Sequence, residues 1–436
     1  MSEPPTLTSR ILEGSVGRDR VLDFIKVAAL ALVVIGHQVA WTTFPDGTAS
    51  NTLDVAPSLW WMSWALQWLP VFFFAAGVGL RSSRDAGRPW ADVVRSRAKS
   101  LLAAALPLIF VSLALTALIA AWRPSLAQAA GVITVQLLWF VGVYILVVLV
   151  SPVILRLRAM WWVLVLIVLV VAIDLLRIHI DDRWGWLNLI VVWSVFTLVG
   201  AQRDRWAKLP RIVLIGCAVF ALAGSALALV VGPYSKALIT ANAAPGLSNL
   251  APPTIVLCLF GVAQILVILL AWRALARWLD RDRVWVPVAI AGSRSMGIYI
   301  WHMLVTSIVI AVLVLAGIAP PALSVTWWLL HGGSLVVVVA MSWLIAGPAQ
   351  LLSRSMATRL AHTPWKFSAP VVGLATLLAA ASVLGISESG LYPFVEFRWV
   401  AGVLPYFPLI AVALVMCGLV VSAGRGRPRP ERGTGP

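Results

Sequence analysis

The chain has 436 residues, 61% of them hydrophobic and only 11% charged, yet its formal net charge is +16. Soluble globular chains carry about a quarter charged residues, so this composition excludes one and leaves a polytopic membrane protein. The cations are spread along the chain between apolar runs, which makes them a topology signal and gives no case for nucleic acid.

Apolar runs long enough to cross about 30 Å of hydrocarbon predict an all-α fold of about twelve spans, over residues 22–41, 58–80, 101–122, 132–155, 161–176, 184–201, 212–231, 254–272, 285–315, 325–345, 370–386 and 404–421. The fifth and eleventh are the shortest. With the N-terminus placed in the cytoplasm, the Lys and Arg residues gather on the cytoplasmic side of the connecting loops. Arg123, Arg177, Arg183, Lys236 and Arg398 fall on the other side, and Arg294 falls inside a span. One missed or invented span scrambles this alternation, so the pattern predicts an even number of spans and two cytoplasmic termini.

The expected organisation is a cytoplasmic tail over residues 1–20, a membrane core of ten helices over 21–347, a cytoplasmic loop with two additional helices over 348–422, and a tail over 423–436. Both tails are rich in Pro, Gly or charge and are expected to be disordered. Cys217, Cys258 and Cys417 lie in apolar spans without ligand-like spacing and predict neither a disulfide nor a metal site.

The first span carries the most informative residues. Lys26 and His37 are eleven residues apart, about three helical turns, so they share one face and are separated by about 16 Å along the axis. Ionisable groups inside a span are functional candidates by default. Lys26 also lies where it can snorkel to water or pair with Asp23 three residues earlier. Arg294 is a second intramembrane cation, to be partnered by carbonyls or a carboxylate. Ser295, Tyr299 and His302 follow on one helix stripe, and His302 falls at about the depth of His37 if its span begins near Trp285. His179, among Asp174, Arg177, Asp181, Asp182 and Arg183, reads as interfacial, His331 lies near the outer start of the tenth span, and His362 reads as ordinary surface in a cytoplasmic loop.

Five motifs, in order along the chain, give it a family likeness. Lys26 and His37 form a basic-x10-His pattern, with Asp23 and Gly36 beside it; Phe72-Phe73-Phe74-Ala75-Ala76-Gly77 follows; Arg95, Arg97 and Lys99 precede Leu106-Pro107; Leu138-Trp139-Phe140 comes next; and the run from Gly292 to His302 reads G-x-x-S-x-x-I-Y-x-x-H. Together they resemble the integral membrane acyltransferase type 3 family over roughly the first 345 residues. Ala76 departs from that family's usual serine, so no hydroxyl acts at that point.

The resemblance implies transfer of an acyl group, most often acetyl, from cytoplasmic acyl-CoA to a hydroxyl of an extracytoplasmic carbohydrate, glycolipid or lipid-linked glycan, at a bacterial cell membrane and without a metal. An alcohol is a weak nucleophile at neutral pH, and a positioned imidazole that removes its proton contributes about 10² to 10⁴-fold. His37 is the expected base, with His302 as a second catalytic or a structural histidine. Lys26 is expected at the CoA phosphates or pantetheine arm, with Arg294, Arg95 and Arg97 as further donor-binding candidates. Short outer loops favour an acceptor delivered within the membrane. The rival reading is a twelve-helix secondary transporter, against which stand the short connection between spans six and seven and the lack of a visible repeat.

Overall fold

The computed structural model describes residues 7–239, 246–362 and 366–426. In chain order its helices are α1 (Leu7–Glu13), α2 (Arg20–Val39), α3 (Thr52–Val55), α4 (Trp60–Leu66), α5 (Leu69–Asp85), α6 (Trp90–Trp122), α7 (Pro124–Ile133), α8 (Leu138–Ile154), α9 (Trp161–His179), α10 (Asn188–Ala201), α11 (Arg203–Trp206), α12 (Arg211–Val231), α13 (Ile255–Leu279), α14 (Asp282–Leu315), α15 (Val325–Ala361), α16 (Ala369–Ser389) and α17 (Pro408–Ala423). Strand pairing is confined to short ribbons, of which β1 (Trp41–Thr43) and β2 (Ala49–Asn51) form one directly after α2. The chain is an all-α polytopic membrane protein.

Among the described residues ten helical segments are long and apolar enough to cross a bilayer. Three expected spans depart from single straight helices. The second, over residues 58–80, is interrupted at Gln67 between α4 and α5. The fourth, over residues 132–155, is a pair bent by 41° between α7 and α8. The hydroxyl of Thr134 donates to the Ala130 carbonyl at 2.8 Å, a local bond that competes with the helical ladder where α7 stops. The twelfth is shorter than expected, because residues 404–406 form a strand and the helix starts only at Pro408. Pro405 has no amide proton to continue a ladder.

Residues 1–6 and 427–436, parts of the two tails expected to be disordered, lie outside the described residues. The rest of the N-terminal tail corrects that expectation. It is helical over α1, and Ser15 Oγ accepts from the buried Trp285 indole at 3.0 Å, which supplies the acceptor that a buried indole N–H requires.

The chain divides into two compact units. One comprises Met1–Ser82 and Val153–Gly347, the other Ser83–Pro152 and Pro348–Pro436. The last two helices, given no role by sequence, pack on each other and on α6 inside the second unit. In the first unit α2 begins at Asp19, whose carboxylate accepts from the Leu22 amide at 3.2 Å as an N-cap. Helix α2 runs parallel to α14: Val27 lies beside Gly292, His37 beside His302, and Gln38 beside Thr306. Val34, Val305 and Val338 join α2, α14 and α15 in an apolar cluster between these polar contacts.

The glycine of the Phe-Phe-Phe-Ala-Ala-Gly run has a packing role. A Cβ on Gly77 of α5 would lie 2.0 Å from the Thr197 carbonyl oxygen of α10, and a Cβ on Gly200 of α10 would lie 2.0 Å from the Phe74 carbonyl oxygen. The two backbones meet where neither helix has a side chain, a small-residue contact typical of membrane helices. Gly77→Ala is therefore expected to separate α5 from α10 and lower the thermal midpoint of the purified protein, with an overpacking cost of about 1–3 kcal/mol. Gly216→Ala in α12, where the added methyl meets nothing within 4 Å, is the control and should leave the midpoint unchanged.

Candidate active site

The centre of the first unit is a pair of imidazoles. His302 Nε2 lies 3.1 Å from His37 Nδ1, and the ring centroids are 5.2 Å apart. The His302 side chain is fully buried, and His37 as a residue is partly buried. His302 Nδ1 faces two carbonyl oxygens one turn back, Tyr299 at 2.8 Å and Ile298 at 3.2 Å. Carbonyls only accept, so Nδ1 carries the proton and Nε2 of the neutral ring is an acceptor. His37 must then donate from Nδ1, which leaves its Nε2 as a lone pair. One histidine thus fixes the tautomer of the other, and the nitrogen left basic belongs to the less buried of the two residues.

Toward the Lys26 end of α2 the character changes to mixed charge. Lys26 Nζ is 3.4 Å from Asp23, its side chain is 40% exposed, and Asp23 also pairs with Arg18 at 2.8 Å. Arg203 pairs with Asp19 at 2.6 Å and stacks over Trp272, while Arg20 donates to the Leu279 carbonyl and lies over Trp285. Arg203 also meets Asp204 at 3.2 Å, so Arg18, Arg20, Lys26 and Arg203 face three carboxylates, Asp19, Asp23 and Asp204, and leave this end with a small excess of positive charge. Lys26 and His37 lie about 16 Å apart along one face.

The other expected site residues separate into two groups. Arg294 stays within the first unit: it donates to the Trp343 carbonyl at 3.3 Å and lies over the Trp343 ring at 4.7 Å, the carbonyl partner expected for it. Ser295 donates to its own helix at Gly292, and the buried Tyr299 ring is 5.9 Å from that of His302. Arg95 and Arg97 belong to the second unit. Arg97 reaches Tyr144 Oη at 3.4 Å. Arg95 is buried and bridges the carbonyls of Gly424 and Phe367, so its guanidinium holds the end of α17 to the segment before α16. These contacts give Arg95 a structural use within the second unit.

Sequence reading passed over three polar residues around the pair. Thr306 donates to the His302 carbonyl at 2.8 Å and accepts from Gln38 Nε2 at 2.7 Å. His331, placed by sequence only near the outer start of its span, is buried between Trp327 and Trp41 with ring centroids at 3.8 and 4.3 Å, and its two nitrogens face the carbonyls of Trp327 and Trp41. It pins the segment after α2 to α15. The available signal was polarity inside apolar runs, with Gln38 next to His37 and Thr306 one turn beyond His302.

The model of a family described as an acyltransferase domain, type 3, matches residues 19–347. No curated protein and no solved structure matches the chain.

The geometry of Arg95 makes its own prediction. Arg95→Met, which has no N–H to donate to either carbonyl, should destabilise the protein by about 1–3 kcal/mol, read as a lower thermal midpoint. Affinity for acetyl-CoA, measured by calorimetry on the folded variant, should not change.

Proposed function

Because this chain belongs to the acyltransferase type 3 family, we propose that it moves an acyl group, acetyl in the simplest case, from cytoplasmic acyl-CoA to a hydroxyl of an extracytoplasmic carbohydrate, glycolipid or lipid-linked glycan at the cell membrane. The observation that carries this reading is the His37–His302 pair, whose hydrogen bonds leave one basic nitrogen on His37. A transporter has no need of a base with a fixed tautomer, and family membership weighs against that alternative.

In the proposed reaction the acceptor hydroxyl is aligned on His37 Nε2. As its oxygen attacks the thioester carbonyl carbon, the proton passes to Nε2, and the positive charge gained by His37 is stabilised through its Nδ1–H bond to His302 Nε2. Collapse of the tetrahedral intermediate breaks the carbon–sulfur bond and releases CoA thiolate, which takes the proton back from His37. The products are the ester and CoA thiol, and the base returns to its starting state. Apolar packing around the pair supports this chemistry by keeping out water that competes for the acyl group.

The positive end of α2 suits the phosphates of CoA, and the spacing from Lys26 to His37 is comparable with the reach of an extended pantetheine arm. The donor then enters from the Lys26 side with its thioester near His37. Arg294 holds α14 to α15 on the same route, and its carbonyl partner supports a positioning role over direct contact with phosphate.

Two sets of variants test this reading in proteoliposomes with labelled acetyl-CoA. His37→Ala should reduce transfer by about 10² to 10⁴-fold without impairing membrane insertion, since it makes an apolar helix more apolar. His302→Ala should lose less, because it removes the orienting group and leaves the base. Normal turnover by inserted His37→Ala protein would sink the proposal. For the donor, Lys26→Ala should raise the KM for acetyl-CoA while Lys26→Arg keeps most activity; an effect confined to the acceptor counts against this assignment.

A further inference from the structure

Beyond His37 the chain carries polar atoms that the transfer step does not use. Gln38 is 1% exposed, and its amide orientation is fixed. The Thr306 hydroxyl proton is committed to the His302 carbonyl at 2.8 Å, so Thr306 Oγ1 can only accept, and Gln38 must present Nε2 to it at 2.7 Å. The opposite end of the amide, Oε1, is buried without a partner among the described residues. Gln38 directly follows His37 on α2, and its partner Thr306 lies one turn from His302 on α14, so the amide is anchored on the same seam as the imidazole pair.

Two more buried polar atoms without a partner follow on the same segment, Trp41 Nε1 and Thr52 Oγ1. Trp41 opens β1, Thr52 follows β2, and the Thr52 amide donates to the Ala40 carbonyl at 3.0 Å, so both belong to one collar at the end of α2. The collar is held rigidly: Thr42 accepts from the Trp327 indole at 2.9 Å, Thr43 donates to the Ile318 carbonyl at 2.8 Å, and His331 meets the Trp41 carbonyl. A hydrogen-bond acceptor, a donor and a hydroxyl are thus held buried and unpaired at the end of α2 that follows His37. Such groups are costly to bury unpaired, and a site built on them rejects ligands that cannot pair with them.

We infer that Gln38, with the collar residues Trp41 and Thr52, forms the acceptor subsite, in which Gln38 Oε1 accepts a hydrogen bond from a hydroxyl or amide neighbouring the hydroxyl that is acylated. This rests on the proposed acyl transfer and narrows it: the acceptor carries a hydrogen-bond donor adjacent to its reacting oxygen, as in a vicinal diol or an amino alcohol unit, and simple alcohols are poor substrates. Gln38 is a specificity-determining residue and His37 remains the base. The amide nitrogen, engaged by Thr306, serves to aim the oxygen.

The test uses the full-length protein in proteoliposomes with labelled acetyl-CoA and two membrane-soluble probes, dodecane-1,2-diol and 1-dodecanol. The wild type should prefer the diol by about tenfold or more in kcat/KM, the discrimination of one buried hydrogen bond. Gln38→Met should bring the two probes within about twofold of each other with the KM for acetyl-CoA unchanged, and Gln38→Glu, which keeps an acceptor oxygen, should retain more of the preference. Trp41→Phe, which removes only the indole N–H, should raise the diol KM. The thermal midpoint separates this role from a structural one: Gln38→Met combined with Thr306→Val removes both partners and should leave it unchanged or higher. A preference that survives Gln38→Met overturns the subsite, as does a wild type that turns over acetyl-CoA yet acylates neither probe or both equally. A wild type that neither binds nor turns over acetyl-CoA fails the proposed transfer itself, a distinguishable result.

Discussion

Inside hydrocarbon a polar side chain has no water to bond to, and this constraint orders everything around the histidine pair. His302, fully buried, finds its partners in the carbonyls of its own helix and in His37. His37 meets His302 through Nδ1 and is the less buried of the two residues. The asymmetry follows from position: α14 places its histidine toward the interior, while α2 offers its own at the margin of the contact. Two residues of one chemical type therefore differ in role because of which nitrogen has somewhere to send its proton.

The parallel course of α2 and α14 converts that pair into a site. Because the helices keep register over several turns, Val27 against Gly292, His37 against His302 and Gln38 against Thr306, an axial gradient is built along one seam. It begins with exposed cations at Lys26, passes through an aliphatic stretch around Val34 and Val305, and ends with buried amide and hydroxyl groups beyond His37. A substrate with a charged end and an uncharged reactive end is matched by such a gradient, whereas a uniformly polar solute is not. The seam needs both helices to be held, which is the work of Arg294 against Trp343 at one end and of His331 between Trp327 and Trp41 at the other.

Much of this was legible in the sequence because membrane spans leave strong marks. Apolar length located the spans, and helical arithmetic placed Lys26 and His37 on one face and His302 at the depth of His37. What was not legible depended on partners far away in the chain. Arg95 looks from sequence like any cation near a membrane boundary, and only its contacts with Phe367 and Gly424 show that it is a structural bridge. The bend between α7 and α8 depends on one threonine hydroxyl competing for a carbonyl, too small a signal to read within a continuous apolar run. Gln38 was hidden for another reason. Beside a histidine that dominates interpretation, a single amide reads as tolerated polarity until its nitrogen is seen to be committed and its oxygen is not.

That commitment also bears on how a membrane enzyme can avoid wasting its donor. Water is a small alcohol surrogate, and a base able to activate a hydroxyl can activate water as well. Excluding it by apolar packing around His302 is one safeguard, but the acceptor must still enter. A fixed acceptor oxygen next to the base adds a second: a molecule that bridges His37 and Gln38 through two neighbouring groups is held in the reacting orientation, and a lone water bound at one of them is not. The cost of leaving the amide oxygen unpaired, about 1–3 kcal/mol for a buried polar group, then becomes part of the binding preference, because only a ligand with the second donor relieves it.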